Sequence, residues 1–395
     1  MNPARPDPCR ENDALATMPT KPKRDGPFGI KHQHSVLVLQ GGGALGAYQA
    51  GVYQGMAEHG FAPDWVAGVS IGAVNAALIA GNPPQRRIER LREFWERVSS
   101  GLPLVVPAQL DLVRLASARL NATAVVAFGV PGFFVPRVPP PLLAPEGTPA
   151  ALSIYDNAPL LDTLHELVDF GFLNRRSGVR LSLGAVNVET GNSVYFDSRD
   201  GALTPRHVLA SGSLPPGFPP TVIEGSHYWD GGIVSNSPLW YVLDDAPRLS
   251  ALIVQVDLFS ARGALPANLD QVLERAKDIQ YSSKTRFNTS RVAELEEFRQ
   301  ALARLFNKVP AKLRDDADFR RLRPLCSGRR EITILHLINR RSPDSTSAKD
   351  YEFSRATMEQ LWEAGLDDVR LSCSHKRWEE ARSLEDGVRI FDLTA

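Results

Sequence analysis

An open, mainly parallel α/β sheet with helices on its faces is the fold class the sequence predicts, followed by a mostly helical C-terminal extension. Three observations predict it. Residues 35–40 form a β-branched and leucine run, the composition of a strand buried on both faces, and lead straight into Gly41-Gly42-Gly43-Ala44-Leu45-Gly46. Residues 65–69 form a second short apolar strand that ends in Gly68-Val69-Ser70-Ile71-Gly72, and residues 73–80 are apolar nearly all round, as in a buried helix. A helix over 47–59, with Val52 and Met56 on one face and Gly60 as its stop, joins the two strands. Strand, glycine loop, helix, strand, tight turn and helix is the order that opens a parallel sheet with helices packed on it.

The remaining elements follow in order. Residues 1–34 carry scattered charge, early prolines and no periodicity, and read as a disordered tail in which Met18 is an alternative start. Residues 86–98 are an amphipathic helix with Ile88, Leu91, Trp95 and Val98 on its inner stripe. Residues 101–150 are apolar but broken by Pro and Gly, which argues against a long helix or central strand. They read as an insert: a loop packed on the domain, a flap over a site, or a surface that meets lipid. A helix over 153–170 precedes a strand at 179–188, a turn at Thr190-Gly191-Asn192 and a returning strand at 193–196. After a short helix from Pro205, residues 211–220 are too proline-dense for regular structure. A brief strand over 227–229 ends at Asp230-Gly231-Gly232, and Asn236-Ser237-Pro238 opens another helix. Residues 252–257 form a further buried strand, which closes a catalytic domain over 35–260. Residues 261–395 are the extension: charged helices, a strand at 331–337 that extends the sheet, and an amphipathic helix over 354–369 with Met358, Leu361, Trp362 and Leu366 inward.

Composition narrows the function classes. The 395 residues are 43% apolar and 23% charged, an ordinary soluble composition, and 45 Lys and Arg balance 45 Asp and Glu. That balance gives no pull towards nucleic acid or anionic membrane. Cys9, Cys326 and Cys373 are too few for a disulfide framework and match no metal spacing, so a cytoplasmic, reducing home is expected. No run reaches membrane-span length, no paired carboxylate spacing asks for a metal, and no cofactor is expected.

Three motifs carry the chemistry. Gly68-Val69-Ser70-Ile71-Gly72 has the G-x-S-x-G spacing of a nucleophile elbow, where a serine stands on a sharp strand-to-helix turn at the positive end of a helix. Its plainer reading is a small-residue turn. Gly41-x-Gly43-x-x-Gly46 has three readings: a dinucleotide fingerprint, a tight turn, or a loop whose backbone N–H groups hold an oxyanion. The first wants an acidic residue at the end of the second strand, whereas Asp64 lies before that strand. Asp230-Gly231-Gly232 places a carboxylate at a turn.

With these three motifs in this order, the sequence resembles the patatin-like phospholipase family over residues 35–260. The proline-rich segment before Asp230 and Asn236-Ser237-Pro238 after it also resemble the family, and Asp350-Tyr351-Glu352-Phe353-Ser354-Arg355 resembles the C-terminal extension of a bacterial subgroup. The third motif ends in Gly232 where many members have alanine. The resemblance implies a three-layer α/β/α patatin-like fold and a lipid acyl hydrolase using Ser70 as nucleophile and Asp230 as its base. Gly41, Gly42 and Gly43 would form the oxyanion hole, with Gly46, Gly68, Gly72, Gly231 and Gly232 as motif glycines. The implied partner is a lipid ester, met at a lipid or membrane surface. Three alternatives stand beside it: a Ser-His-Asp hydrolase using His227, His336 or His375, a non-hydrolytic lipid-binding scaffold on the same fold, and an acyltransferase sharing the acyl-enzyme.

Overall fold

Along the first sheet strand, β1 (His34–Leu39), side chains alternate between two apolar layers. Leu37 and Leu39 join one core cluster, while Val36 and Val38 join another. A strand with both faces covered needs helices above and below, which is why its run is continuously apolar. The computed structural model describes residues 24–25, 31–100, 111–175, 178–245, 250–282, 285–326, 331–340, 348–378 and 387–394.

The chain continues through helix α1 (Ala47–Glu58), β2 (Trp65–Val69), α2 (Ile71–Ala80) and α3 (Arg87–Val98). Helices α4 (Asp111–Phe128) and α5 (Ala158–Leu167) precede β3 (Arg180–Asn187) and β4 (Ser193–Asp197). Next come α6 (Pro205–Ser211), β5 (Thr221–Ile223), β6 (Ser226–Asp230), α7 (Leu239–Asp245) and β7 (Ser250–Asp257). The C-terminal part adds α8 (Leu269–Tyr281), α9 (Thr285–Phe306), α10 (Ala317–Cys326), β8 (Glu331–Ile338), α11 (Arg355–Cys373) and β9 (Gly387–Asp392).

The strands named above form one sheet in the order β9-β8-β7-β1-β2-β3-β6-β5, with β4 also paired to β3. From β9 to β3 every pairing is parallel; β4, β6 and β5 add antiparallel pairings at the far edge. On one face lies the large core, to which α1, α2, α3, α5 and α11 contribute. On the other, Leu239, Val242 and Leu243 of α7 pack on Val36, Val38, Trp65, Ala67 and Ile253. This is the three-layer arrangement the sequence predicts.

Three expectations change. Strand pairing is present before residue 35: Arg24–Asp25 pairs with Lys31–His32, and buried His32 bonds Ser35 (Nε2 to Oγ 2.7 Å). Within the insert, Asp111–Phe128 forms an 18-residue helix, because the first glycine after the 111–128 run, Gly129, falls only after it ends. The extension contributes two parallel strands to the sheet, and α11 lies directly on α1, where Tyr48 Oη donates to Asp368 Oδ2 at 2.7 Å. Helix α1 is therefore buried on nearly every side rather than along one face. Met18, Cys9 and the apolar run at 102–107 lie outside the described residues. No helix among the described residues is long and apolar enough to cross a membrane.

Candidate functional site

Register brings the two principal candidates together. Val69, the last residue of β2, pairs with Gly184 of β3, so Ser70 leaves the sheet beside Ala185. Asp230, the last residue of β6, pairs with Ala185 from the other side. The two residues flank one strand, about two strand spacings or roughly 10 Å between backbones, a gap their side chains can bridge over a small residue. They are 160 residues apart in sequence (230 − 70).

Ser70 has φ 56° and ψ −127°, a conformation most side chains avoid. Holding it there costs on the order of 1–3 kcal/mol. Two contacts hold it: its N–H donates to the carbonyl and the hydroxyl of Ser211, each at 3.1 Å. Ser211 Oγ in turn donates to the Gly184 carbonyl at 2.6 Å. The G-x-S-x-G spacing follows from close approach: a Cβ at Gly68 would strike the Gly72 carbonyl, and one at Gly72 the Leu39 carbonyl. Ser70 then caps α2 and is partly exposed, while every residue of α2 behind it is buried.

Asp230 is 1% exposed. Its Oδ1 accepts the Gly232 N–H at 2.7 Å and its N–H donates to the Ser213 carbonyl at 3.0 Å. Burial pushes its carboxyl up from the usual carboxylate range to about 7. The Ser70 hydroxyl, donating towards the carboxylate, and the Gly232 N–H pull it part of the way back. Oδ2 is buried and closes no hydrogen bond of good geometry, so the serine contact is looser than a fully formed bond. A loose contact is common before substrate binds.

The glycine loop supplies the third component. Gly43–Gly46 is a 3₁₀ turn with Gly43 at φ 57°. The N–H groups of Gly42 and Gly43 donate to nothing among the described residues, as expected at the open start of a helical turn. Gly41 differs from expectation. Its N–H donates to the Asn236 carbonyl at 3.2 Å, so it is committed to holding the loop and is not an oxyanion donor. Asn236 Nδ2 returns a bond to the Gly41 carbonyl at 3.0 Å.

The histidines lie elsewhere. His336 sits on β8, three strands from β2, roughly 14 Å by strand spacing alone. It is buried near Asp257, Asp392 and Arg340, and burial holds its pKa below the usual imidazole value. His227 is exposed and bonds Glu189 (Nδ1 to Oε1 2.7 Å). His375 is exposed beyond α11, where its Nδ1 accepts the Arg377 N–H. Asp64, which a dinucleotide would need at the far end of β2, instead accepts the Ser35 N–H at 3.1 Å at the near end. Among the described residues no three His, Cys, Asp or Glu side chains are grouped to hold a metal.

Sequence reasoning missed Gln40, Ser211 and Tyr281. Gln40 is fully buried at the end of β1; its Oε1 accepts the N–H groups of Leu258 (2.6 Å) and Phe259 (3.0 Å), and its Nε2 donates to the Tyr281 carbonyl at 3.0 Å. A polar residue ending an apolar strand just before the glycines was the available signal. Ser211 and Tyr281 had none, because their roles depend on which strand lies beside which.

A family described as "Patatin-like phospholipase" matches residues 37–243, and one described as "Patatin phospholipase" matches residues 279–385. No curated protein matches the chain. Among solved structures it is similar to VipD from Legionella pneumophila, with 16% identity, 89% of this chain and 72% of that chain covered, and a TM-score of 0.35. A likeness that slight carries no argument about function. The first family spans more than half of the 395 residues, including both the elbow and the Asp230 turn, and the chain belongs to the patatin-like phospholipase family.

Proposed function

We propose that the protein is a serine lipid acyl hydrolase that releases fatty acids from phospholipids or related lipid esters through a Ser70–Asp230 dyad. Asp230 takes the Ser70 proton as Oγ attacks the ester carbonyl. The N–H groups of Gly42 and Gly43 hold the resulting alkoxide, and the alcohol departs with the proton returned from Asp230. Water then attacks the acyl-enzyme by the same route and the fatty acid leaves. An unperturbed aspartate near pKa 4 is a poor base for a hydroxyl. The observation that carries the reading is the fully buried Asp230, raised to about 7 beside Ser70, close to the value a general base needs at neutral pH.

The lipid part of the proposal rests on the insert. Val138, Leu142 and Leu143 are 91%, 98% and 74% exposed, and Phe128 is 78% exposed at the end of α4. Large apolar side chains this exposed favour a lipid surface. Phe128 also lines a cavity of about 130 Å³ with Val98, Val125, Val130 and Phe353, a wall suited to part of an acyl chain. The low cysteine count favours a cytoplasmic setting.

A fluorophosphonate probe tests the nucleophile, and a lipid-class hydrolysis panel with Ser70→Ala as blank tests the substrate. Labelling that vanishes in Ser70→Ala, with fatty acid release from at least one lipid ester, is expected. Absence of labelling in the wild-type chain favours the non-hydrolytic scaffold. Re-esterified product on adding a lysolipid favours the acyltransferase.

A further inference from the structure

The oxyanion loop is made of glycines, so it has no side chains with which to hold its own aim. The structure supplies restraint from outside, and the C-terminal extension contributes to it at two points. At the entry to the loop, the carbonyl of Tyr281, the last residue of α8, accepts Gln40 Nε2 at 3.0 Å and Asn236 Nδ2 at 2.9 Å. Gln40 is the residue before Gly41, and Asn236 Nδ2 also donates to the Gly41 carbonyl at 3.0 Å. Further along, the turn Lys349–Tyr351 lies against Gly43–Gly46, and the Asp350 carbonyl occupies the place a Cβ on Gly43 would take. That turn is fastened to the same helix. Lys277 Nζ donates to Asp350 Oδ1 at 2.7 Å, and Lys349 Nζ lies 3.1 Å from Glu274 Oε1 and 2.7 Å from Asp278 Oδ1.

We propose that α8 and the Lys349–Tyr351 turn form a brace that sets the direction of the Gly42 and Gly43 N–H groups, making Lys277 and Asp350 positioning residues for the oxyanion. This rests on the hydrolase reading above and assigns a task to the extension within it. The rest of the motif anchors the brace to the catalytic core. Ser354 caps α11 by accepting the Thr357 N–H, and Arg355 bonds Ser99 Oγ at 2.8 Å and the Glu96 carbonyl at 2.6 Å at the end of α3. Phe353 packs on Phe133 with ring centroids 5.8 Å apart. Two lysines alternate with three acids across this helix–turn contact, so ion pairs tie helix to turn from both sides. An oxyanion donor works only within a few tenths of an ångström of its place, and a misplacement of about 1 Å costs roughly 10²-fold in rate.

The test is steady-state kinetics on a soluble short-chain ester, with inhibition by an alkyl trifluoromethyl ketone, whose serine adduct places an alkoxide in the hole. Lys277→Met is expected to lower kcat about 10- to 100-fold with KM within about twofold, and to weaken the ketone in proportion to the loss in kcat/KM. Lys277→Arg restores most of the activity, and adding Asp350→Asn to Lys277→Met costs little more because the pair acts as a unit. Should Lys277→Met fail to fold, the near-isosteric Asp350→Asn and the separate Lys349→Gln carry the same expectation at smaller size. Folded variants that keep kcat within twofold overturn the brace, as does a loss that appears in KM while ketone affinity is unchanged. Failure of the hydrolase reading is seen separately, as a wild-type chain that neither takes a fluorophosphonate at Ser70 nor turns over the ester.

Discussion

The elbow region and the insert are built in opposite ways. On the elbow side, Ser70 is fixed by two hydrogen bonds from its N–H, every residue of β2 and α2 is buried, and Asp230 is sealed behind it. On the insert side, α4 exposes Leu120, Val126 and Phe128, and the turns beyond it expose Val138, Leu142 and Leu143. A few bonds hold the insert down, among them Tyr155 Oη to the Val126 carbonyl at 2.9 Å and the Tyr155 N–H to the Gly217 carbonyl at 2.8 Å. The difference separates two tasks. A developing charge needs fixed dipoles, since reorganising them during reaction would return the energy they supply. A long, variable acyl chain needs apolar area and room to adapt.

If this division holds, substitutions on the elbow side should abolish chemistry on every ester, while those on the insert should matter only for aggregated lipid. The largest effect belongs to Ser70→Ala, expected to lower kcat by about 10⁴-fold or more on soluble and vesicular substrates alike. Asp230→Asn comes next, with a loss of about 10²–10⁴ in kcat/KM measured on a soluble ester at pH 8. The same substitution should raise stability at that pH. Asp230 titrates near 7 when folded and near 4 when unfolded, so the folded chain holds the extra proton between those values. Stability linked to this group is complete below about pH 4 and drains away as pH rises through about 7. Asparagine has no charge to desolvate, so Asp230→Asn should melt higher than wild type at pH 8, by at most a few kcal/mol, with the two converging near pH 4.

Gly43→Ala joins the glycine loop to this rigid region. It requires alanine at φ 57° and pushes a methyl into the Asp350 carbonyl. A fall in kcat of about 10²-fold and a loss of about 1–3 kcal/mol in denaturant unfolding are expected. Smaller still, Leu142→Ser with Leu143→Ser should reduce turnover on phospholipid vesicles by roughly 3- to 10-fold and leave the soluble ester untouched. An equal loss on both substrates would erase the contrast between the two regions. His336→Gln should change activity by less than about twofold, since His336 is three strands from the elbow.

The elbow was legible because a backbone contact four residues apart dictates its spacing: Gly68 must clear the Gly72 carbonyl. The Asp230 turn was legible only through resemblance, because a carboxylate beside two glycines is common and its burial depends on β3 and α6 folding around it. The commitment of Gly41 to Asn236 was hidden for a related reason: three consecutive glycines look alike until their neighbours are known. Residues 111–128 were misread because the prolines and glycines that break the insert all fall outside that run. The role of Asp350 lay beyond the sequence, since nothing local ties residue 350 to residue 43.

The most direct test of the whole account is the pH dependence of kcat/KM for a soluble ester, measured in wild type and in Asp230→Asn. A carboxylate base raised to about 7 predicts activity that rises with pH through a single midpoint near 7, and a residual rate in Asp230→Asn that lacks this midpoint. The same midpoint persisting in Asp230→Asn, and disappearing instead when a histidine is replaced, would contradict it.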